Sequence, residues 1–422
     1  MPFRFIHTGD LHLDSPLTGL GAHEGADAQK AKRVAGAARA AFVDLVDEAI
    51  RREVDAFLIA GDLWDGDWRD LSAGLFVQGE IARLGRAGIM SFAILGNHDA
   101  QSQVTDRIRN LDGLHIFASD RATSVECGEA VIHGQSFATP AVHDNLAARY
   151  PEAVPGRINI GLLHTALDGS LGHGNYAPCT LADLSARQYD YWALGHVHTR
   201  QILQRNGRAD GGWAAFCGVL QGRHARETGQ KGAWYGVIDA DGVRLEAVDL
   251  HHVGWFLAEA DVTEADAEEA MRAAIEAAVA GAPAACDVVV LRVRVTGRTA
   301  QHFRLANSLR SLDGDARFIA SAVDARRVMI EEVVLATTPP EDGGMARLPQ
   351  HFEAMLARAA ADPAVAAAAA EAVTEVLSLL PGPVRRQLLE RNPDLLPFDA
   401  TGDLSGLLAE AARRTAARIA GS

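Results

Sequence analysis

The sequence predicts an α/β protein whose core is a two-layer β-sandwich flanked by helices. Short apolar runs alternate with helical stretches up to His164, and strand-like runs dominate from Tyr191 to Leu250. The chain has 422 residues, which exceeds the about 250 to 300 residues at which a single core stops growing. We therefore expect one large domain followed by smaller units.

The first part of the chain has the rhythm of strands alternating with helices. The runs FRFIHT, DAFLIAGD, MSFAILGN and RINIGLLHT each end in polar residues, and Gln29–Arg52 and Leu71–Arg86 carry apolar residues at helical spacing. Ligands of such sheets gather at the carboxyl ends of the strands. The polar residues therefore predict a site at that edge.

Helices are replaced by strand-like runs between Tyr191 and Leu250. YWALGH, GAWYGVID and VRLEAVDL are separated by glycine and aspartate turns. This pattern predicts a second, more antiparallel sheet, which completes the sandwich of a first domain at residues 1–250.

Two further units are expected after the sandwich. Thr263 can cap a helix that runs to about Val279, and a strand follows from Val288, which predicts a small α+β capping domain at residues 253–338. A Pro-Pro-Glu-Asp-Gly-Gly run then predicts a linker. Residues 345–422, rich in Ala and Leu, are expected to form a C-terminal helical region.

Bulk properties favour a cytoplasmic protein. The chain opens without a signal sequence, and no apolar stretch reaches the ~18 residues of a membrane span. The four cysteines lack C-x-x-C spacing and are expected to be reduced core thiols.

A net charge of −15 argues against a freestanding nonspecific DNA binder. It does not exclude a nuclease, because bound divalent ions and a partner can supply positive charge.

Five separated motifs carry candidate metal ligands. They are Asp10-Leu-His12, Gly61-Asp62-Leu-Trp-Asp65, Gly96-Asn97-His98-Asp99, His164, and Gly195-His196-Val-His198. Side chains two residues apart on extended backbone share a face, so two of these motifs can each bind an ion with a pair of side chains. Alone, each of these residues would more often be a capping aspartate or a hydrogen-bonded histidine. Their joint occurrence at strand ends favours a metal site.

The donor types indicate which ions would bind. Carboxylate and amide oxygens mixed with imidazole nitrogens suit Mn²⁺, Fe²⁺ or Zn²⁺, and the number of ligands suits two ions bridged by Asp62. Two ions about 3.5 to 4 Å apart can clamp both the attacking and the leaving oxygen of an in-line displacement.

The motifs D-x-H, G-D-x-x-D, G-N-H-D, H and G-H-x-H resemble, in that order, the signature of calcineurin-like metallophosphoesterases. The resemblance implies one metal held by Asp10, His12, Asp62 and His198, and another held by Asp62, Asn97, His164 and His196. It further implies that His98 contacts the phosphate and protonates the leaving oxygen. Asp99 or Asp65 would orient His98.

Other segments resemble the bacterial DNA repair exonucleases of the SbcD and YhaO group. They are the opening IHTGDLHLDSPL and the later Gln221-Gly222-Arg223-His224 and Glu227-Thr-Gly-Gln-Lys231-Gly232. Asp14-Ser15-Pro16 brings the chain closer to the YhaO branch. The resemblance is strong over residues 3–250 and weaker beyond. It implies a metal-dependent exonuclease or endonuclease acting on DNA, with an SMC-type coiled-coil ATPase like SbcC or YhaN as its partner. Mn²⁺ is the ion that we expect, with Fe²⁺ or Zn²⁺ as alternatives.

Two sets of residues are candidates for contact with macromolecular partners. Arg223, His224, Arg226 and Lys231 are predicted to contact DNA phosphates, the alternative being a solvated loop that pairs with acidic neighbours. A C-terminal apolar stripe is a candidate face for the ATPase, the alternative being that it packs on its own domain. The stripe comprises Leu404, Leu407, Leu408 and Ala411. The sequence leaves a homodimer open.

Two other functions compete with a nuclease. A small-substrate phosphoesterase acting on nucleotides or phosphoproteins would suit the acidic charge. A nonenzymatic scaffold that regulates an ATPase is opposed by intact Asp62, Asn97 and His98.

Overall fold

The computed structural model describes residues 2–13, 15, 26–65, 72–101, 112–169, 176–207, 212–250 and 252–340, with short stretches between 354 and 371. The described helices are α1 (Ala26–Arg51), α2 (Ser72–Arg86), α3 (Asn97–Gln101), α4 (Leu181–Ala186), α5 (Ala267–Gly281), α6 (His302–Asn307) and α7 (Leu309–Asp324), with a 3-10 turn at Ala147–Arg149. The described strands are β1 (Phe3–Thr8), β2 (Ala56–Ala60), β3 (Met90–Ile94), β4 (Leu114–Ile116), β5 (Thr123–Cys127), β6 (Ala130–Gly134), β7 (Ile158–His164), β8 (Tyr191–Gly195), β9 (Gln201–Arg205), β10 (Trp213–Phe216), β11 (Gly232–Asp239), β12 (Gly242–Asp249), β13 (Val253–Asp261), β14 (Val288–Arg298) and β15 (Val328–Thr338).

Two six-stranded sheets form the sandwich. Their strand orders are β12-β11-β1-β2-β3-β4 and β5-β6-β7-β8-β10-β9. The first is parallel from β1 to β4, and the second is parallel from β6 through β7 and β8 to β10. Parallel strands end at the same sheet edge, so each sheet carries several carboxyl ends side by side.

The core between the sheets follows from alternation along the strands. Leu58 of β2 and Leu162 of β7 lie in one buried cluster that draws on both sheets. Their chain neighbours Ile59 and Leu163 point to the opposite faces and belong to different clusters. Alternate residues of a strand face opposite sides of the sheet, so a continuous apolar run produces a sheet that is buried on both faces.

Helices cover the outer faces. Phe42 and Leu45 of α1 pack with Val77 and Ile81 of α2 against the first sheet. On the second sheet, Leu184 of α4 belongs to the outer cluster. The predicted α/β class, with a two-layer sandwich flanked by helices, is confirmed.

The order of the strands differs from the prediction in one respect. The hairpin of β11 and β12 joins the first sheet, where β11 pairs with β1 in antiparallel fashion, and it does not build a separate second sheet. The second sheet instead takes β5, β6 and β7 from the first part of the chain. Apolar alternation identifies strands but does not specify their neighbours.

The region after the sandwich contains a third sheet of order β13-β14-β15 together with α5, α6 and α7. The helix expected to be capped by Thr263 begins later, at Ala267. The Asp266 carboxylate accepts a hydrogen bond from the Glu268 backbone N–H, as an N-cap does, whereas the Thr263 hydroxyl donates to Asp261. The prediction that Thr263 caps this helix is therefore wrong.

Chain contacts divide the protein into two compact units. One comprises Met1–Leu257, Ile275–Arg292 and Ala320–Glu331, and the other comprises Ala258–Ala274, Val293–Ile319 and Glu332–Ser422. The domain limits 1–250, 253–338 and 345–422 stay predictions. Leu404, Leu407, Leu408 and Ala411 lie outside the described residues, as do Asp14 and Pro16.

Two bulk expectations can be compared with the structure. All four cysteines are free and buried, as predicted for core thiols. None of the helices in the described part of the chain has the length and apolar character needed to cross a membrane.

Candidate metal centre

The five motifs converge on one edge of the sandwich. Asp10 follows β1, Asp62 follows β2 and Asn97 follows β3, all in the first sheet. His164 ends β7 and His196 follows β8 in the second sheet. Because these strands are parallel within each sheet, their carboxyl ends bring the motif residues together.

The backbone at this edge is unusual. Asp10, His12, Asp62 and His196 all have positive φ, at 48°, 42°, 53° and 96°. Such left-handed conformations cost about 1 to 3 kcal/mol each in residues other than glycine, and they cluster at functional sites. The loop after β1 stays paired with the loop after β2, since Asp10 N donates to Gly61 O and His12 N donates to Asp62 O. This pairing stabilises the strained residues.

Two glycines let the chain approach the buried ligands. A Cβ on Gly96 would lie 2.3 Å from Asp62 Oδ1, and one on Gly61 would lie 2.5 Å from His164 Nδ1. Neither position can hold a larger residue without displacing a candidate ligand. The glycine of each motif therefore has a steric role.

A first group of donors comprises Asp10, His12 and His198, whose ligand atoms all lie within 4.8 Å of one another. The Nε2 atoms of His12 and His198 are 3.3 Å apart, and His198 Nε2 is 3.9 Å from Asp10 Oδ1. Asp10 and His12 are fully buried, and His198 is partly buried.

A second group comprises Asp10, Asp62 and His164. His164 Nε2 lies 3.4 Å from Asp62 Oδ2 and 3.1 Å from Asn97 Oδ1, while its Nδ1 faces the Ala60 carbonyl oxygen at 2.9 Å. The His196 ring packs edge-on against His164 with centroids 5.1 Å apart. His196 is thus brought to the same place.

Asp62 belongs to the second group and also faces a histidine of the first group. Its Oδ2 is 3.9 Å from His12 Nε2 and 3.4 Å from His164 Nε2. Its Oδ1 accepts a hydrogen bond of 3.0 Å from the His98 backbone N–H. This is the position that a bridging carboxylate requires.

The electrostatics of the site favour a bound cation. Asp10 and Asp62 are buried to 0% and 1% exposure. Burial raises the pKa of Asp10, whereas for Asp62 the effect of burial is outweighed by His164 and His12, which hold its pKa well below the usual range. Close, buried carboxylates are costly unless a cation neutralises them. A divalent ion therefore fits the donor set.

The histidine pKa values in the two groups are shifted in opposite directions. Burial, helped by the charge of Arg223, lowers the pKa of His12 to about 4, which leaves the neutral ring that a metal needs. Burial also acts to lower the pKa of His164, but Asp62 outweighs it and raises the pKa to about 9. A divalent ion would take the place of that proton.

His98 is held by Asp65. Its Nδ1 is 2.7 Å from Asp65 Oδ1, and its side chain is 37% exposed at the mouth of the site. Burial acts to lower the pKa of His98, but the hydrogen bond with Asp65 and the charge of Asp62 raise it overall. Of the two orienting residues left open by the sequence, the structure places Asp65 on His98.

Asp99 has a different environment. Its carboxylate accepts hydrogen bonds from the backbone N–H groups of Leu63, Trp64 and Gly96 at 2.9 to 3.1 Å. It therefore fastens the loop after β2 to the loop after β3. Burial and the nearby charge of Asp62 raise the pKa of Asp99 to about 7.

The predicted DNA contacts fall into two classes. His224 and Arg226 are exposed, whereas Lys231 is buried, with its ammonium donating to the Thr228 carbonyl oxygen at 2.9 Å. Burial lowers the pKa of Lys231. The Arg223 guanidinium, with its side chain 14% exposed, lies 3.2 Å from Asp65 Oδ2 and 3.0 Å from Glu227 Oε1.

Sequence reasoning missed Glu227. Its Oε1 is 2.7 Å from His198 Nδ1, and its side chain is only 5% exposed. Burial acts to raise the pKa of Glu227, but His198 and Arg223 hold it well below the usual range. The one sequence signal was that a glutamate occurs in the same glycine-flanked loop as the cationic residues.

Comparisons with known proteins agree with this geometry. Residues 3–200 match the calcineurin-like phosphoesterase family, and residues 255–338 match the family described as metallophosphoesterase YhaO, middle domain. An uncharacterized metallophosphoesterase YhaO of Bacillus subtilis (strain 168) is 37% identical over 266 residues, which are 62% of this chain and 64% of that protein.

More distant relatives were also found. A DNA double-strand break repair protein Mre11 of Sulfurisphaera tokodaii is 31% identical over 171 residues, which are 39% of this chain and 44% of that protein. The chain thus spans less than two thirds of the length of these curated relatives. A solved structure of a dimetal phosphatase from Danio rerio is 14% identical, covers 59% of this chain and 98% of its own, and superposes with a TM-score of 0.39.

These matches confirm the resemblance stated from the five motifs, and the similarity to YhaO is consistent with the SbcD and YhaO group. The chain therefore carries a calcineurin-like metallophosphoesterase domain over residues 3–200, followed by a segment that matches the YhaO middle domain.

Proposed function

We propose that the chain is a two-metal phosphodiesterase that cuts DNA, in DNA repair, together with an SMC-type coiled-coil ATPase. The observation that carries the phosphodiesterase part is that Asp62 belongs to one group of metal donors and also faces a histidine of the other. When bound, two divalent ions supply Lewis acidity toward phosphate oxygens and activate water for attack.

The residues around the site give each ion a set of donors. One ion would be held by Asp10, His12, Asp62 and His198, and the other by Asp62, Asn97, His164 and His196. The mixture of oxygen and nitrogen donors suits Mn²⁺, which we propose as the native ion over Fe²⁺ or Zn²⁺.

His98 is proposed as the acid that protonates the leaving oxygen. It is partly exposed beside the donor groups, so a phosphate held there could reach it. Asp65 accepts a hydrogen bond from Nδ1 and thereby fixes which ring nitrogen faces substrate. Asp99 would act indirectly, by holding the loops that carry Asp62 and His98.

DNA as the substrate is supported by the similarity to proteins described as DNA double-strand break repair protein Mre11. With a net charge of −15, any contact with DNA has to be local. The exposed His224 and Arg226 are suited to touch phosphate directly. We propose that Arg223, which is partly buried, and Lys231, which is buried, support the loop that presents them.

The proposed partner follows from the resemblance to the SbcD and YhaO group, and the proposed location follows from the sequence pattern. We propose a cytoplasmic protein that binds an SMC-type ATPase. The candidate docking residues Leu404 to Ala411 lie outside the described part of the chain.

The acidic net charge supports a second candidate, a phosphoesterase of nucleotides or phosphoproteins. Three substrates separate the two functions: linear duplex DNA, bis-p-nitrophenyl phosphate and p-nitrophenyl phosphate, each with Mn²⁺ and with EDTA. We expect the chain to cleave the DNA and the diester with Mn²⁺, and we expect both activities to be lost in EDTA. Rapid hydrolysis of the monoester with intact DNA would favour the second candidate.

A further inference from the structure

His198 is held on its outer side by a carboxylate. Its Nδ1 lies 2.7 Å from Glu227 Oε1, while its Nε2 faces His12 Nε2 at 3.3 Å and Asp10 Oδ1 at 3.9 Å. A carboxylate only accepts hydrogen bonds, so the proton of the neutral ring must be on Nδ1. The lone pair of Nε2 then points into the donor group.

Glu227 is itself fixed. Its Oε2 accepts a 2.7 Å hydrogen bond from the Arg223 backbone N–H, and its Oε1 accepts one of 3.0 Å from the Arg223 guanidinium. A turn closes the segment, because Glu227 N donates to His224 O at 2.9 Å. With a side chain 5% exposed, Glu227 has little freedom to leave His198.

The same guanidinium extends to the other side of the site. Arg223 Nη1 lies 3.2 Å from Asp65 Oδ2, and Asp65 Oδ1 lies 2.7 Å from His98 Nδ1. The Ser15 hydroxyl also donates to Asp65 at 2.6 Å. One arginine thus joins the two carboxylates that hold His198 and His98.

We propose that Glu227 is a positioning residue for the metal centre: it sets the tautomer and ring orientation of His198 and, through Arg223, links this ligand to Asp65 under His98. The inference rests on the proposed two-metal centre. Carboxylates that hold the outer nitrogen of a metal-binding histidine fix its orientation, and their loss typically weakens metal affinity about 10- to 100-fold.

A simpler role has to be distinguished. Glu227 could serve only to neutralise Arg223, which is largely buried between carboxylates. In that case its removal would destabilise the loop without acting selectively on one ion. The number and order of the ions bound therefore decide between the two roles.

The test is a titration of the metal-free chain with Mn²⁺, followed calorimetrically and by the manganese retained after dialysis. The parent is expected to bind two ions in separable steps. In Glu227→Ala, the step assigned to Asp10, His12 and His198 should weaken about 10- to 100-fold while the other step stays unchanged. Glu227→Gln keeps an acceptor for the Nδ1 proton and should recover part of the affinity.

A matched control is Glu246→Gln, which also removes a carboxylate paired with an arginine, Arg52, but at a side chain 60% exposed. Both steps should stay unchanged in this variant. Unaltered binding in Glu227→Ala would overturn the inference, and so would equal weakening of both steps with a lower melting temperature of the metal-free chain. A parent that binds fewer than two ions would instead refute the proposed centre itself.

Discussion

Nδ1 of His98 lies 2.7 Å from Oδ1 of Asp65, so a carboxylate of the motif after β2 holds the imidazole of the motif after β3. His98 is also tied to Asp62 through its backbone N–H, at 3.0 Å. The imidazole is therefore fixed beside the candidate metal ligands, and with His12 and Asp65 it forms a further donor group to which we assign no ion. The proposed proton transfer by His98 can therefore be tested separately from metal binding.

The first prediction concerns His98. His98→Ala should keep both ions but reduce turnover of DNA and of a chromogenic diester by roughly 10² to 10⁴, as expected for loss of a general acid. The measurements are steady-state kinetics and manganese content. His115→Ala, which removes an exposed imidazole on β4, is the control and should leave both unchanged. Loss of manganese in proportion to activity would make His98 a ligand.

The second prediction separates DNA contact from support of the centre. Arg226→Ala removes an exposed charge, so cleavage of duplex DNA should weaken and the slope of log affinity against log salt should flatten by about 1. Hydrolysis of bis-p-nitrophenyl phosphate should stay unchanged. Arg223→Ala should reduce both activities, because its guanidinium joins Asp65 and Glu227.

The control for Arg226 is Arg86→Ala, an exposed arginine at the end of α2. If Arg86→Ala and Arg226→Ala weaken DNA cleavage equally, the effect is one of overall charge, and the proposed DNA path is wrong.

The third prediction tests the packing of the second sheet. A Cβ on Gly161 in β7 would lie 2.5 Å from the Trp192 ring and 2.9 Å from Tyr189. Gly161→Ala should therefore lower the free energy of unfolding by about 1 to 3 kcal/mol. Gly36→Ala, in α1 with open space around it, should raise that free energy by roughly 0.5 to 1 kcal/mol. Urea unfolding of metal-free protein measures both, and a neutral Gly161→Ala would contradict the packing.

The fourth prediction is a pH dependence of stability. His133 is buried, stacks on Tyr189 with centroids 4.3 Å apart, and contacts Ser124 Oγ at 2.8 Å and Asn159 Oδ1 at 3.0 Å. Burial lowers its pKa to about 4 from an ordinary 6.5. The folded chain thus keeps the ring neutral where the unfolded chain binds a proton. The contribution of His133 to the free energy of unfolding is complete above pH 6.5 and is lost as the pH falls toward 4.

Replacing the ring should remove this contribution. His133→Gln should lose about 2 kcal/mol less unfolding free energy than the parent between pH 7 and pH 5. Urea titrations of metal-free protein at the two pH values give the comparison. Equal losses in parent and variant would show that His133 is not held neutral in the fold.

Much of the site could be predicted because parallel strands end at a common edge. Asp10, Asp62 and Asn97 each follow an apolar strand, and the sequence shows both the strands and the residues after them. Gly61 and Gly96 each directly precede a candidate ligand in the sequence. The sequence pattern was sufficient to predict site residues where the geometry depends on residues that are neighbours along the chain.

Contacts between distant segments could not be predicted in this way. Glu227 reaches His198 across 29 residues, and nothing in the spacing marks it as its partner. The choice between Asp65 and Asp99 depends on which carboxylate points outward, a property of loop conformation that the order of residues does not specify. The pairing of β11 with β1 also joins segments far apart in the chain.

The most direct test of the account is the number of ions bound by the parent and by Asp62→Ala, measured with hydrolysis of bis-p-nitrophenyl phosphate on the same samples. Asp112→Ala, an exposed aspartate between α2 and β4, is the control. Because Asp62 belongs to one donor group and also faces a histidine of the other, its loss should reduce binding of both ions and abolish hydrolysis. The parent and Asp112→Ala should bind two manganese ions per chain and remain active. Two ions and full activity in Asp62→Ala would contradict the two-metal centre.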